Sequence, residues 1–259
     1  MKKSAILVLS CDKYSSLWKP FFVQFHKYLP ACRYPLYLGS NTIVYGGDKN
    51  VQTLLSGKSK DWSTNFLSIL DQIPEEYIFV WLEDYFLTNY LDQKLFDSCL
   101  RFLISQKANH IQMTPSIPSD EVSKDGMFAC AKKGAPYRAA AYGFWKKNHL
   151  QKIILPGENV WQFETFGSYR SSFFDGYFSL RRNLFEYIQI VERGKIFREA
   201  YEYCIKHNIN LDMSDWQVHS RLHKVKSDIM RHIFNGIIRI PWKARVGTMN
   251  IFRKALASY

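Results

Sequence analysis

Two adjacent carboxylates, Glu83 and Asp84, follow directly on the continuous apolar run Tyr77 to Leu82. Such a run reads as a strand buried on both faces of a parallel sheet, and it ends in two acids only where they are solvated, paired or bound to something cationic. A divalent metal carrying a diphosphate meets that need, because Mg²⁺ and Mn²⁺ take one or two protein carboxylates and complete their shell with phosphate and water. The bland alternative is a strand end that simply faces solvent. A third acid, Asp12, stands in Ser10-Cys11-Asp12-Lys13, straight after the apolar run Ser4 to Leu9. Backbone amides, a hydroxyl and a carboxylate at that place can hold the base and ribose of a nucleotide, or Asp12 can cap the helix that follows. The last group is Gly157-Glu158-Asn159-Val160-Trp161-Gln162-Phe163-Glu164, two carboxylates six residues apart around a tryptophan. A general base must stand beside an acceptor hydroxyl, and an aromatic face packs on the C–H face of a sugar ring. Trp161 and Phe163 suit the core of a short helix equally well.

These groups need a frame. Ser4 to Leu9 and Tyr77 to Leu82 read as buried strands, Trp18 to Leu29 as a helix, and Pro35 to Leu38 and Thr42 to Tyr45 as short strands. Asp61 or Ser63 caps a helix bearing Phe66, Leu67, Leu70 and Ile73, which Pro74 ends, and Leu91 to Ser105 returns to helical spacing. Strand and helix thus alternate over the first 110 residues, which predicts a parallel sheet with right-handed crossovers. Ligands of such sheets bind outside the carboxyl ends of the strands, where Asp12, Glu83 and Asp84 all fall. Thr114 to Arg138 is irregular, with loops expected over the site. Ala139 to Phe144 reads as a strand, Asn148 to Ile154 as a helical turn or two, and Phe185 to Glu192 and Ile196 to His207 as helices. Ser214 would cap a last helix carrying Val218, Leu222, Val225, Ile229 and Ile233.

With 259 residues, 47% apolar and 22% charged, the chain is neither disordered nor fibrous. No apolar run is long enough to span a bilayer, and the five apolar residues after Ser4 are too few for a secretion signal. The five cysteines match neither a disulfide framework nor zinc-ligand spacing, which suits a reducing cytosol. GxGxxG, GxxxxGK[ST], GxSxG and HExxH are all missing, which disfavours dinucleotide, P-loop, serine-hydrolase and zincin chemistry. The net charge of +12 is concentrated: residues 221–259 hold nine Lys or Arg against one acid, whereas the first 220 hold 26 against 22. We expect a body over residues 1–212 and a basic amphipathic segment over 213–259.

The pattern resembles the GT-A type of nucleotide-sugar-dependent glycosyltransferase, in particular small bacterial enzymes that build capsule, lipopolysaccharide or O-antigen glycans. The likeness rests on ILVLSCDKYSSLW, DWSTNFLSIL, YIFVWLEDYFL, and FWKKNHL leading into PGENVWQFE, in the order usual for that family. It implies an α/β, Rossmann-like GT-A fold with a mostly parallel central sheet flanked by helices. It implies nucleotide binding by Ser10, Cys11 and Asp12, by Trp62 and Ser63 at the start of the second helix, and by Glu83 and Asp84. In place of the family's DxD motif stands Glu83-Asp84-Tyr85, whose third position is Tyr. Mg²⁺ or Mn²⁺ at Asp84 and a site that draws its positive charge from Lys or Arg are therefore both compatible. The family's base maps to Glu164 first and Glu158 second, and Trp161 and Tyr85 map to acceptor contacts.

The resemblance also implies a nucleotide-sugar donor, a glycan or lipid-linked acceptor and a cytoplasmic location, peripheral on the inner membrane face. There the basic segment would meet an anionic lipid surface. A solvated basic helix packed on the body is the alternative. Nucleic acid is the partner that pI 9.4 would otherwise suggest, but the charge is confined to one end and neither an RNA-binding aromatic motif nor a helix-turn-helix is present. A glycoside hydrolase using Glu158 and Glu164 is the remaining rival.

Overall fold

All six residues of Ser4–Leu9, the strand β1, are buried. The computed structural model describes residues 4–58, 61–113, 121–135, 137–183, 185–214, 216–220 and 239–247, with single positions 229, 232, 236 and 251. Successive side chains of a strand point to opposite faces. Ile6 and Val8 therefore enter one apolar cluster, and Ala5, Leu7 and Leu9 a second. One crossover helix covers each face. α1 (Trp18–Tyr28) packs Phe21 and Phe25 with Ile6, and α2 (Trp62–Asp71) packs Phe66 and Leu70 with Leu7. The Asp61 carboxylate caps α2 by accepting from the Thr64 amide at 2.8 Å.

The strands β2 (Leu36–Ser40), β3 (Val51–Leu55) and β4 (Tyr77–Leu82) join β1 in parallel, in the spatial order β3-β2-β1-β4. The chain then makes β5 (Tyr85–Leu87), α3 (Gln93–Ser105), β6 (His110–Gln112), β7 (Phe128–Cys130), β8 (Gly143–Lys146), α4 (Lys147–Ile153) and β9 (Tyr177–Leu180). They extend the sheet past β4 in the order β8-β6-β9-β7, with β8 antiparallel to both neighbours. This is the expected α/β fold, with a large, mostly parallel central sheet between helices.

Between α4 and β9 one helical stretch changes pitch twice, from α5 (Val160–Gln162) through a π-turn at Phe163–Gly167 into α6 (Ser168–Ser171). Beyond the main sheet, β10 (Tyr187–Gln189) pairs antiparallel with β5, and β11 (Val191–Glu192), β12 (Lys195–Ile196) and β13 (Gln217–Val218) form a small sheet on either side of α7 (Arg198–Lys206).

Several elements differ from their sequence expectation. Thr42 to Tyr45 is no strand, because the amides of Asn41, Thr42 and Ile43 all donate to the Asp12 carboxylate and are lost to a ladder. Phe185 to Glu192 is extended rather than helical, since Tyr187 to Gln189 finds its partner in Leu87 to Tyr85. The strand expected from Ala139 begins at Gly143, the Ala139 amide being spent on Ser168 Oγ. Val218 lies in a strand against Ile196, not in a helix. Most of the basic stretch beyond residue 220 lies outside the described residues. No helix among the described residues is long and apolar enough to cross a membrane.

Candidate functional site

The carboxyl ends of β1 and β4 open into a cavity of about 240 Å³. Ser10 and Cys11 line it from β1, Glu83, Asp84 and Tyr85 from β4 and the turn after it, and Trp62 from the start of α2. Its other walls come from Trp161 and Glu164 on the segment between α4 and β9, and from Gln189 and Val191 to Arg193. The sequence-predicted residues that meet here are thus Ser10, Cys11, Trp62, Glu83, Asp84, Tyr85, Trp161 and Glu164.

Three expected participants do not join them. The Asp12 carboxylate turns the other way and pins the loop after β2: it accepts from Ser40 Oγ at 2.7 Å, Thr42 Oγ1 at 2.6 Å and the amides of residues 41 to 43. Partial burial disfavours its charge, but these donors outweigh that cost and hold the carboxyl well below the usual carboxylate range. Ser63 is buried, its hydroxyl donating to Asp61 Oδ1 at 2.7 Å and accepting from the Glu158 amide at 3.0 Å. Glu158 is held by Arg170 through two parallel hydrogen bonds of 2.8 and 2.6 Å. Glu158, clamped in this way, does not line the cavity that Glu164 lines.

The electrostatics of the cleft are set by crowding. Glu83 is buried and raised well above the usual range, first by desolvation and then by Asp84 beside it, although Ser10 hydrogen-bonds to it. Asp84 is raised as well, by desolvation, against the weak help of Gln189 Nε2 at 3.4 Å. Glu164 sits on the π-turn, an insertion that redirects side chains and recurs at functional sites. Desolvation pushes its carboxyl up to about 7, opposed by a hydrogen bond from the Ala141 amide. Tyr14 is pushed up to about 12 by burial and by the field of Glu83. Tyr85 lies flat on Tyr187, with ring centroids 4.5 Å apart, and edge-on to Tyr142 at 5.1 Å.

Among the described residues no three His, Cys, Asp or Glu side chains cluster tightly enough to hold a metal by themselves. Glu83 and Asp84 still suit Mg²⁺ or Mn²⁺, which need only one or two protein oxygens when phosphate supplies others. Burial disfavours the ionised form of both carboxylates at this strand end, a cost that a bound cation would offset.

A larger cavity of about 670 Å³ adjoins the first and shares Tyr14, Trp161 and Arg193 with it. Lys13 and Gly194 are found only on this outer side. Arg193 and Lys13 were not singled out from the sequence. The available signal was Arg193-Gly194, a dipeptide suited to a tight hairpin, hidden because the residues before it read as helical.

The chain matches no protein-family model, and no curated protein matches it. Among solved structures it is similar to Staphylococcus aureus TarS 1-349 (13% identity over 68% of this chain and 60% of that one, TM-score 0.43). It is also similar to an active-site mutant of LgtC (9% identity, 77% of each chain, TM-score 0.41). A proposed nucleotide-diphospho-sugar transferase from Desulfovibrio desulfuricans G20 shows 12% identity over 72% of this chain and 78% of that one, with TM-score 0.40.

Proposed function

We propose that this protein is a nucleotide-sugar-dependent glycosyltransferase that moves a sugar to a hydroxyl of a glycan or lipid-linked acceptor in the synthesis of a bacterial surface polysaccharide. The observation that carries this reading is the meeting of Glu83, Asp84 and Glu164 with Trp62, Tyr85 and Trp161 in one cleft at the carboxyl ends of β1 and β4. Acids accept hydrogen bonds from sugar hydroxyls, and aromatic faces pack on sugar rings.

Glu164 is the base in this scheme. With its carboxyl near 7, it is both ionised in part and basic enough to take a proton at neutral pH. The acceptor oxygen attacks the anomeric carbon from the side opposite the leaving group and gives its proton to Glu164. The anomeric C–O bond breaks, its electron pair leaves with the nucleoside diphosphate, and configuration inverts. Glu83 and Asp84 receive donor hydroxyls, and Asp84, with Glu83 beside it, would hold Mg²⁺ or Mn²⁺, which supplies positive charge to the diphosphate. Trp161 and Tyr85 face the acceptor. The same proposal puts the enzyme on the inner face of the cytoplasmic membrane through its basic segment 213–259.

The test is nucleotide release from UDP, GDP, CDP and TDP sugars in the presence of lipid-linked acceptors. Asp84→Ala and Glu164→Ala are expected to lower turnover by about 10² to 10⁴ with the fold intact. Failure of the wild-type chain to bind any of the four nucleotides rules the reading out.

A further inference from the structure

We propose that Lys13 and Arg193 form a cationic clamp for the donor's diphosphate, an assignment that rests on the transferase reading above. The two side chains belong to segments about 180 residues apart, yet they are set together on the outer cavity. Arg193 (φ 50°) and Gly194 (φ 77°) are the two residues of the tight turn between β11 and β12 and both are left-handed, as a type I′ hairpin requires. β13 pairs with β12 behind the turn. The Lys13 ammonium rests on this turn, its Nζ only 3.3 Å from where a Cβ on Gly194 would stand. Tyr14 stacks on Trp216 at 5.4 Å, and the Trp216 indole donates to Ser16 Oγ at 3.0 Å, which ties the 3₁₀ helix after β1 (Asp12–Leu17) to the residue just before β13, the strand behind the hairpin.

Neither Lys13 nor Arg193 forms an ion pair with an acid among the described residues. Two like charges that line one cavity repel unless an anion lies between them. Arg193 borders both cavities and stands 5.8 Å over the Trp161 ring, so its guanidinium marks the boundary between the acidic inner cavity and the basic outer one. A nucleotide sugar has matching parts: its hydroxyl-bearing rings suit the carboxylates, and its diphosphate, which those acids repel unless a cation stands between, suits the guanidinium. The guanidinium fork meets phosphate oxygens bidentately, and the lysine adds a point charge. The diphosphate therefore lies at the shared rim.

The experiment is calorimetric titration with UDP, GDP, CDP and TDP, with the corresponding nucleosides and with inorganic pyrophosphate, in EDTA and in Mg²⁺. The clamp predicts that the preferred nucleoside diphosphate binds in EDTA as well and that pyrophosphate displaces it. Lys13→Ala and Arg193→Ala should each weaken nucleoside diphosphate binding by about ten- to a hundredfold, leave the nucleoside unaffected and, both side chains being exposed, keep the melting temperature. Unchanged diphosphate affinity in both variants, or binding that exists only with Mg²⁺, overturns the clamp and leaves the transferase reading standing. Pyrophosphate that binds without displacing the nucleotide assigns the two cations to an acceptor phosphate and overturns it too. If no nucleotide or nucleoside binds, both readings fall together.

Discussion

Arg170 grips Glu158 with both nitrogens of its fork, Nη1 to Oε1 at 2.8 Å and Nη2 to Oε2 at 2.6 Å, and donates its Nε to the Ile153 carbonyl. The pair fastens the segment before α5 to α6 and so fixes the turn that carries Glu164. Glu158→Gln is therefore expected to cost about 1 to 3 kcal/mol of stability, seen as a lower melting temperature, while kcat stays within severalfold. A loss of kcat by orders of magnitude in a folded Glu158→Gln protein would instead give Glu158 the role of base.

Glu164 carries the opposite expectation. Its carboxyl, raised to about 7, binds a proton more tightly in the folded chain than in the unfolded one. Activity that needs the ionised form should rise with pH through about 7, and this acid limb of kcat/KM should vanish in Glu164→Gln along with most of the rate. The stability effect has the reverse sign: the contribution of Glu164 is full below about pH 4.5 and is lost as pH rises towards 7. Glu164→Gln should accordingly melt above the wild type at pH 8, where the wild type must keep a charge in a desolvated place. Equal melting temperatures at pH 8 would mean that the carboxylate is well solvated.

Asp12 serves the fold by the same kind of reasoning. Its carboxylate satisfies three backbone amides and two hydroxyls of residues 40 to 43, several of them charge-assisted hydrogen bonds that Asp12→Ala removes at once. We expect a loss of about 2 to 4 kcal/mol, measured by denaturant unfolding, with nucleoside affinity unchanged in the protein that remains folded. Stability like the wild type combined with weakened nucleoside binding would return Asp12 to the ligand.

These contrasts show which part of the molecule can be read along the chain. Tyr77 to Leu82 and Ser4 to Leu9 announce buried strands because neither interrupts its apolar run, and the acids that follow them mark the strand ends. The Asp61 cap is equally local, four residues deciding it. Asp12 offers the same local appearance as a ligand and as a loop anchor, and only the packing of residues 40 to 43, about 30 positions on, separates the two. Tyr187 to Gln189 reads as helix until β5, some 100 residues earlier, takes up its backbone groups. Lys13 and Arg193 meet only through that same long-range sheet work. The floor of the site was legible because it is made by strand ends, and its rim was not because it is made by tertiary pairing.

Gly143 tests the sheet that holds this floor. Its backbone has φ +147°, a conformation that side chains rarely adopt, and a Cβ there would stand 2.5 Å from the Ile111 carbonyl oxygen. β8 lies between β4 and β6, with Gly143 opposite Val80 on one side and Gln112 on the other, so neither strand can move away without breaking ladder bonds. Gly39 is tight as well, but a Cβ there would meet Ile69 Cδ1 at 2.8 Å, the far end of a side chain that can change rotamer. Gly143→Ala is expected to cost about 3 kcal/mol or more and to lower the melting temperature by roughly 10 °C, whereas Gly39→Ala should cost about 1 kcal/mol. Thermal melts of the two variants side by side decide the matter, and equal losses would mean that the backbone clash at Gly143 is relieved by a shift of β6.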